Sequence, residues 1–318
     1  MKQASSINQS EASEDTKQKL WNTSQSSVQK SEFALNPINY DSDDEYSDPI
    51  MDEEEDLDDM LMKLPVVLPT SVTEAKLFVL PSDSFIQVQT EINIVSRLAI
   101  IDWLLRIVLK VKFQRGTLFN AVYILDRILA TKPVSADSLQ LTSIVCLWIS
   151  AKVEEASNIS SLPIFLTICQ NQFTSEQFRT KELEIFGILN GRLNFPTSQL
   201  FIHPLLTAID SESEFEAVQF FLDLSLMEFE LICYPTPLIA VAAIAAAMGQ
   251  KCPLKKLLSL ISFDSSKDAI VAIKKLADAA TFVLERKNTA MYSVYDEGWL
   301  QEMKDNVEKS VQFFCNNV

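Results

Sequence analysis

The sequence predicts an all-α protein made of two tandem sets of about five helices, with flanking helices. Three observations point there. Only five of the 318 residues are glycine, whereas sheets and their tight hairpin turns consume glycine. From about Ile92 onward, apolar residues recur at helical spacing almost without interruption. Two segments, 139–149 and 238–248, are apolar nearly all round, as a helix is when neighbours surround it. Each lies within its own run of helices, which reads as a structural duplication.

In chain order, residues 1–62 come first and read as a disordered acidic arm. The segment 41–59 holds twelve carboxylates and no Lys or Arg, and such a block repels itself and buries too little surface to offset ordering entropy. Ser42 and Ser47 lie there beside carboxylates. Residues 60–80 carry enough apolar side chains for a short helix that docks on the body. The first set is read within 63–194. Helix one is expected near 97–111, and helix two near 118–130 with Leu118, Val122, Leu125 and Leu129 on one stripe. Helix three follows near 138–152 and helix four near 162–170. Helix five opens on the capping box Thr174-Ser-Glu-Gln177 and runs to about Gly191.

Pro196-Thr197 then breaks the chain, and the second set occupies 195–318 with a last helix. Ser211-Glu-Ser-Glu214 reads as another capping box, opening a helix through about Leu231. Thr236 as N-cap, with Pro237 at the first helical position, opens the apolar helix to Met248. Residues 267–286 place Ile270, Ile273, Leu276 and Val283 on one face, and Trp299, Met303, Val307 and Val311 mark a final amphipathic helix.

Composition excludes several function classes. The formal charge is −16, but without segment 41–59 it is about −4. No Lys/Arg cluster of the kind that displaces counterions from nucleic-acid phosphates is present in the body, so no nucleic-acid partner is expected. Cys146, Cys169, Cys233, Cys252 and Cys315 are far apart with no Cys-x-x-Cys pair, which reads as reduced thiols and neither a disulfide framework nor a zinc site. The longest apolar run, 238–248, is too short to span a bilayer, and the N-terminus lacks a signal-peptide core. A soluble protein of the nucleus or cytoplasm, with no cofactor, metal or membrane partner, is the expectation. Catalysis is not expected either. The single histidine, His203, has no Cys or Ser beside it in sequence, no Gly-rich phosphate loop occurs, and the dense carboxylates lie where no fixed separation can be held.

Four ordered blocks carry a family resemblance. Residues 89–104 (QTEINIVSRLAIIDWL) resemble the start of the cyclin box, with Gln89, Ile92, Arg97, Asp102, Trp103 and Leu104 in register. Residues 118–129 (LFNAVYILDRIL) resemble that family's second helix with its Asp-Arg pair, and 139–155 (LQLTSIVCLWISAKVEE) its third. Residues 220–247 resemble the corresponding stretch of A- and B-type mitotic cyclins. The likeness covers roughly residues 87 to 300. It implies two stacked cyclin boxes and a cyclin-dependent kinase as partner, which the chain would bind and activate without being an enzyme itself.

The resemblance also implies roles for particular residues. Arg97 and Asp126 match a buried ion pair between helices one and two, and a carboxylate beside the apolar stripe of helix two calls for such a partner. Lys152 matches the lysine that bonds carbonyls of the kinase's mobile regulatory helix, although a lysine in a last helical turn also suits the helix dipole. Its companion is Glu182 or Glu184. Val153 and Phe195 match apolar positions of the kinase interface. Ile100, Trp103, Leu139 and Gln140 match a groove that binds Arg-x-Leu peptides of substrates and inhibitors. In that groove Ser96 and Ala99 replace larger residues, and Arg106 stands where an acidic or amide side chain receives the peptide's Arg. A free guanidinium there would repel that peptide; alternatively its stem lines the groove and its charge points away. The other readings are a cyclin of a transcriptional kinase and a cyclin-fold transcription factor, the latter disfavoured by the lack of basic helix faces.

Overall fold

A computed structural model describes residues 71–317 except 78, 82–83 and 157–158, and among these residues there are helices and turns but no strand. The acidic arm with Ser42 and Ser47 lies outside the described residues.

Two short helices, α1 (Ser71–Leu77) and α2 (Ser84–Val88), precede the first set. The set comprises α3 (Ile94–Val111), α4 (Arg115–Thr131), α5 (Ala136–Glu154), α6 (Leu162–Ile168) and α7 (Ser175–Ile188). Helix α3 begins three residues before the expected start because Asn93 caps it, its Oδ1 accepting the Ser96 N–H at 2.8 Å. Helix α5 is the pillar of this set. Every residue from Thr142 to Ala151 is buried, with α4 along one side and α7 along another. Trp148 meets Phe178 of α7 edge-on at 5.7 Å and donates its indole N–H to the Ser160 carbonyl at 3.0 Å. The capping box of α7 is present, with reciprocal bonds between Thr174 and Gln177 of 3.2 and 2.8 Å.

After a 3₁₀ turn (Ser198–Phe201), the second set comprises α8 (Ile202–Thr207), α9 (Phe215–Met227), α10 (Thr236–Met248), α11 (Leu254–Leu260) and α12 (Ser266–Glu285), followed by α13 (Ala290–Val294) and α14 (Glu297–Asn317). Helix α10 takes the place α5 has in the first set. It is buried from Pro237 to Ala246 and packs against α9, α12 and α14.

Two expected caps are not made. The Ser211 hydroxyl donates to the Ile209 carbonyl at 3.1 Å instead of receiving a helix N–H. Asp210 is left-handed (φ 51°) and the chain enters α9 through a 3₁₀ turn, Glu212–Glu214, whose backbone supplies its own bond. The Thr236 hydroxyl donates to the Pro196 carbonyl at 2.6 Å, tying α10 to the inter-set linker. Pro237, with no N–H, already removes one orphan donor from that helix start.

The helix expected before the first set docks on the second. Ala75 of α1 and Leu80 beyond it are buried, α1 contacts α10, and the Lys76 Nζ donates to the Ser262 carbonyl at 2.7 Å. Phe85 of α2 meets Phe229 edge-on at 5.2 Å across the junction of the sets.

Candidate functional site

The C-terminal end of α5 and the middle of α7 form the surface with the strongest case for a partner. Lys152 stands in the last turn of α5. Its ammonium lies 3.8 Å from the centre of the Trp148 ring and pairs with Glu182 of α7. Both side chains remain about a third exposed, at 36% and 27%. The structure therefore brings Glu182, and not Glu184, to Lys152. Glu184, two residues along α7 and so about 200° round it, is held by Lys132 at 2.5 Å and Lys181 at 2.7 Å. Burial raises its carboxyl, but the two lysines outweigh burial and leave it below the ordinary carboxylate value.

Around the Lys152–Glu182 pair lie apolar side chains open to solvent: Val153 is 45% exposed, Leu183 72% and Phe186 49%. Leu183 and Phe186 went unread in the sequence. The available signal was their offset from the buried α7 stripe of Phe178 and Ile185, because large apolar residues off the core face have nothing of their own chain to cover them. Gly191, left-handed at φ +76°, lets the chain turn beneath Phe186; a Cβ there would lie 3.1 Å from the Phe186 ring. Phe195 is not part of this patch. It is buried against Tyr123 at 4.8 Å, with the Arg127 and Arg192 guanidinium groups each 5.7 Å from its ring.

Arg97 and Asp126 meet in a two-pronged pair of 2.6 and 2.7 Å, almost wholly buried. The remaining nitrogen of Arg97 donates to the Leu226 carbonyl at the end of α9, 3.0 Å away. The pair thus joins α3 to α4 and both to the second set.

The residues of the second surface are mostly closed. Ile100, Trp103 and Leu139 are each no more than 6% exposed, and Gln140 is half-buried. Arg106 is neither a free charge facing the groove nor a side chain turned away. Its Nε donates to Asp102 Oδ2 at 3.0 Å and its terminal nitrogen donates to the Asn288 carbonyl. The guanidinium thus has a carboxylate partner four residues away on the same helix.

Among the described residues, no group of three or more His, Cys, Asp or Glu side chains could hold a metal ion, and no helix is long and apolar enough to cross a membrane. His203 stacks on Phe215 at 4.7 Å.

Comparison with known proteins shows what part of this arrangement is similar to. Residues 69–194 match the family described as the cyclin N-terminal domain. The chain is 30% identical over 167 residues to a G2/mitotic-specific cyclin-2 of Medicago sativa, covering 52% of this chain and 51% of that one. It is 32% identical over 175 residues to cyclin-B1-2 of Arabidopsis thaliana, covering 54% and 38%. The chain therefore spans about half the length, or less, of these relatives. A viral cyclin from herpesvirus saimiri shares the fold, with a TM-score of 0.57 at 17% identity over 72% of this chain and 97% of that one. Residues 69–194 thus match the cyclin N-terminal domain, and the described helices share the fold of a solved cyclin.

Proposed function

We propose that this chain is the regulatory subunit of a cyclin-dependent Ser/Thr kinase, of the kind used in mitotic cell-cycle control in the nucleus or cytoplasm, and that it performs no chemistry of its own. The observation that carries the reading is the exposed apolar patch of Val153, Leu183 and Phe186 around the Lys152–Glu182 pair. An apolar centre with an oriented charge pair fits the apolar face of a helix whose free carbonyls need a donor. Covering Leu183 would contribute roughly 1.5–3 kcal/mol and half-buried Phe186 about half of that, before the costs of association. Lys152, already aimed by Trp148 and Glu182, would lose little side-chain freedom on binding. Activation would follow if the patch binds the active arrangement of a bistable kinase helix more tightly than the inactive one. The mitotic names of the relatives support the cell-cycle assignment over a transcriptional one.

Reconstitution with each cyclin-dependent kinase of the source organism tests the proposal; no co-elution and no gain of activity with any of them would end it. Within an active complex, Lys152→Ala should weaken kinase affinity by about 2–4 kcal/mol with little change in melting temperature. Leu183→Asp should weaken it comparably, whereas Glu184→Ala should act on stability alone.

A further inference from the structure

Segment 286–299 belongs by sequence to the end of the second set, yet it is gripped by the first. Thr289, Ala290 and Met291 are almost wholly buried, and the Thr289 hydroxyl caps α13 by accepting the Tyr292 N–H at 3.2 Å. Asp102 of α3, 1% exposed, reaches this segment: its Oδ1 accepts the Ala290 N–H at 2.6 Å, across 188 residues of sequence. Its Oδ2 accepts from Arg106, and Arg106 in turn donates to the Asn288 carbonyl. One carboxylate and one guanidinium thereby hold two consecutive stretches of the segment's backbone.

The far end is anchored by rings. Tyr295 and Trp299 stack at 4.5 Å, and both meet Phe220 of α9 edge-on, at 5.3 and 5.0 Å. One turn along α9, buried Asp223 faces Arg115 at the start of α4, 3.3 Å away. Each set therefore offers one buried carboxylate to a group of the other: Asp102 to the backbone at Ala290, and Asp223 to Arg115.

We propose that residues 286–299 form a clasp that fixes the two helix sets in one relative orientation, with Asp102 as its catch and the Phe220–Tyr295–Trp299 cluster as its anchor. A catch of this chemistry is all-or-none. Withdrawing Ala290 strands a buried N–H and a buried carboxylate at once, so half-open states are penalised and two discrete arrangements result. Arg106 acts as a positioning residue, holding Asp102 Oδ2 so that Oδ1 faces Ala290. The clasp does not depend on the kinase proposal, because every group it uses lies within this chain.

Amide hydrogen exchange on the full chain tests it, residue by residue. Arg106→Gln, at a half-exposed position that the fold should tolerate, should speed exchange across 286–295 by at least about fivefold, the lower end of what an unpaired buried group implies. Residues 142–151 of α5 and 238–246 of α10 should keep their parental protection. Asp102→Ala should do the same more strongly, and Asp102→Asn, which keeps the Oδ1 acceptor, should fall between parent and Asp102→Ala. Unchanged exchange at 286–295 in Arg106→Gln, or acceleration of equal size in α5 and α10, would overturn the clasp. So would an Asp102→Ala chain that does not fold, paired with an Arg106→Gln chain indistinguishable from the parent.

Discussion

Arg97 is the clearest case of one side chain with consequences for three helices. Its guanidinium satisfies both oxygens of Asp126 and the last free carbonyl region of α9 at Leu226. Arg97→Ala would leave Asp126 charged and unpaired in the interior, at a cost of about 3–5 kcal/mol; urea unfolding should show it, and a loss below about 1 kcal/mol would mean that water replaces the guanidinium. Asp223 behaves differently. Burial pushes its carboxyl up to about 6, although Arg115 and a 2.9 Å bond from Gln219 pull the other way. Folding therefore favours the protonated form. The stability this group adds is complete below its unfolded value near pH 4, fades as pH rises through about 6, and is absent at pH 7.5. Asp223→Asn should hence be more stable than the parent at pH 7.5, by about 1–3 kcal/mol, and should flatten the melting-temperature profile between pH 4 and 6. A variant less stable at pH 7.5 would show that the Arg115 pair outweighs burial. The Arg97 pair was legible in the sequence because a carboxylate beside an apolar stripe demands a partner. Asp223 carried a similar signal in its run FFLDLSLM, but its partner is 108 residues away and no spacing rule reaches it.

Among elements, the long helices were readable to within a few residues because an apolar period repeats over 17 and 20 positions in α4 and α12, and an unbroken apolar run marks α5 and α10. Helices α8, α11 and α13, of six, seven and five residues, span two turns or fewer and show no period to read. Capping was legible where the helix started cleanly, at Thr174, and misleading at Ser211, where a left-handed Asp210 redirects the hydroxyl. Two motif residues prove to be terminus clamps. Gln89 donates its amide to the Leu129 and Lys132 carbonyls at 2.6 and 2.7 Å and accepts the Val134 N–H at 3.0 Å, closing the end of α4. Glu155 closes its start, accepting the Gln114 N–H at 2.6 Å and the Thr117 hydroxyl at 2.5 Å. Glu155→Ala should therefore destabilise the protein by about 1–2 kcal/mol, while Glu155→Gln keeps an acceptor and loses less; calorimetry of the two variants separates capping from net charge.

At the scale of the molecule, two pillars, α5 and α10, each sheathed by its own helices, share one junction rather than standing as separate bodies. Helix α1 belongs to the first set only by sequence. A fragment limited to residues 71–194 should keep α3–α7 but leave α1 unprotected in hydrogen exchange, because its dock on α10 is missing; full protection of 71–77 in that fragment would contradict the observed packing. The duplicated arrangement was visible in the sequence from its two all-round apolar segments, while the way α1 crosses to the far set was not, since short helices carry no address. That crossing sets a timetable for synthesis. The carbonyl that receives Lys76 belongs to Ser262, 186 residues later in the chain. At ribosomal rates of about 5–20 residues per second, roughly 10–40 s pass before that carbonyl exists and the dock of α1 on the second set is complete. For that interval the nascent chain displays an apolar segment that the finished protein hides, so chaperones should engage it during translation rather than after release.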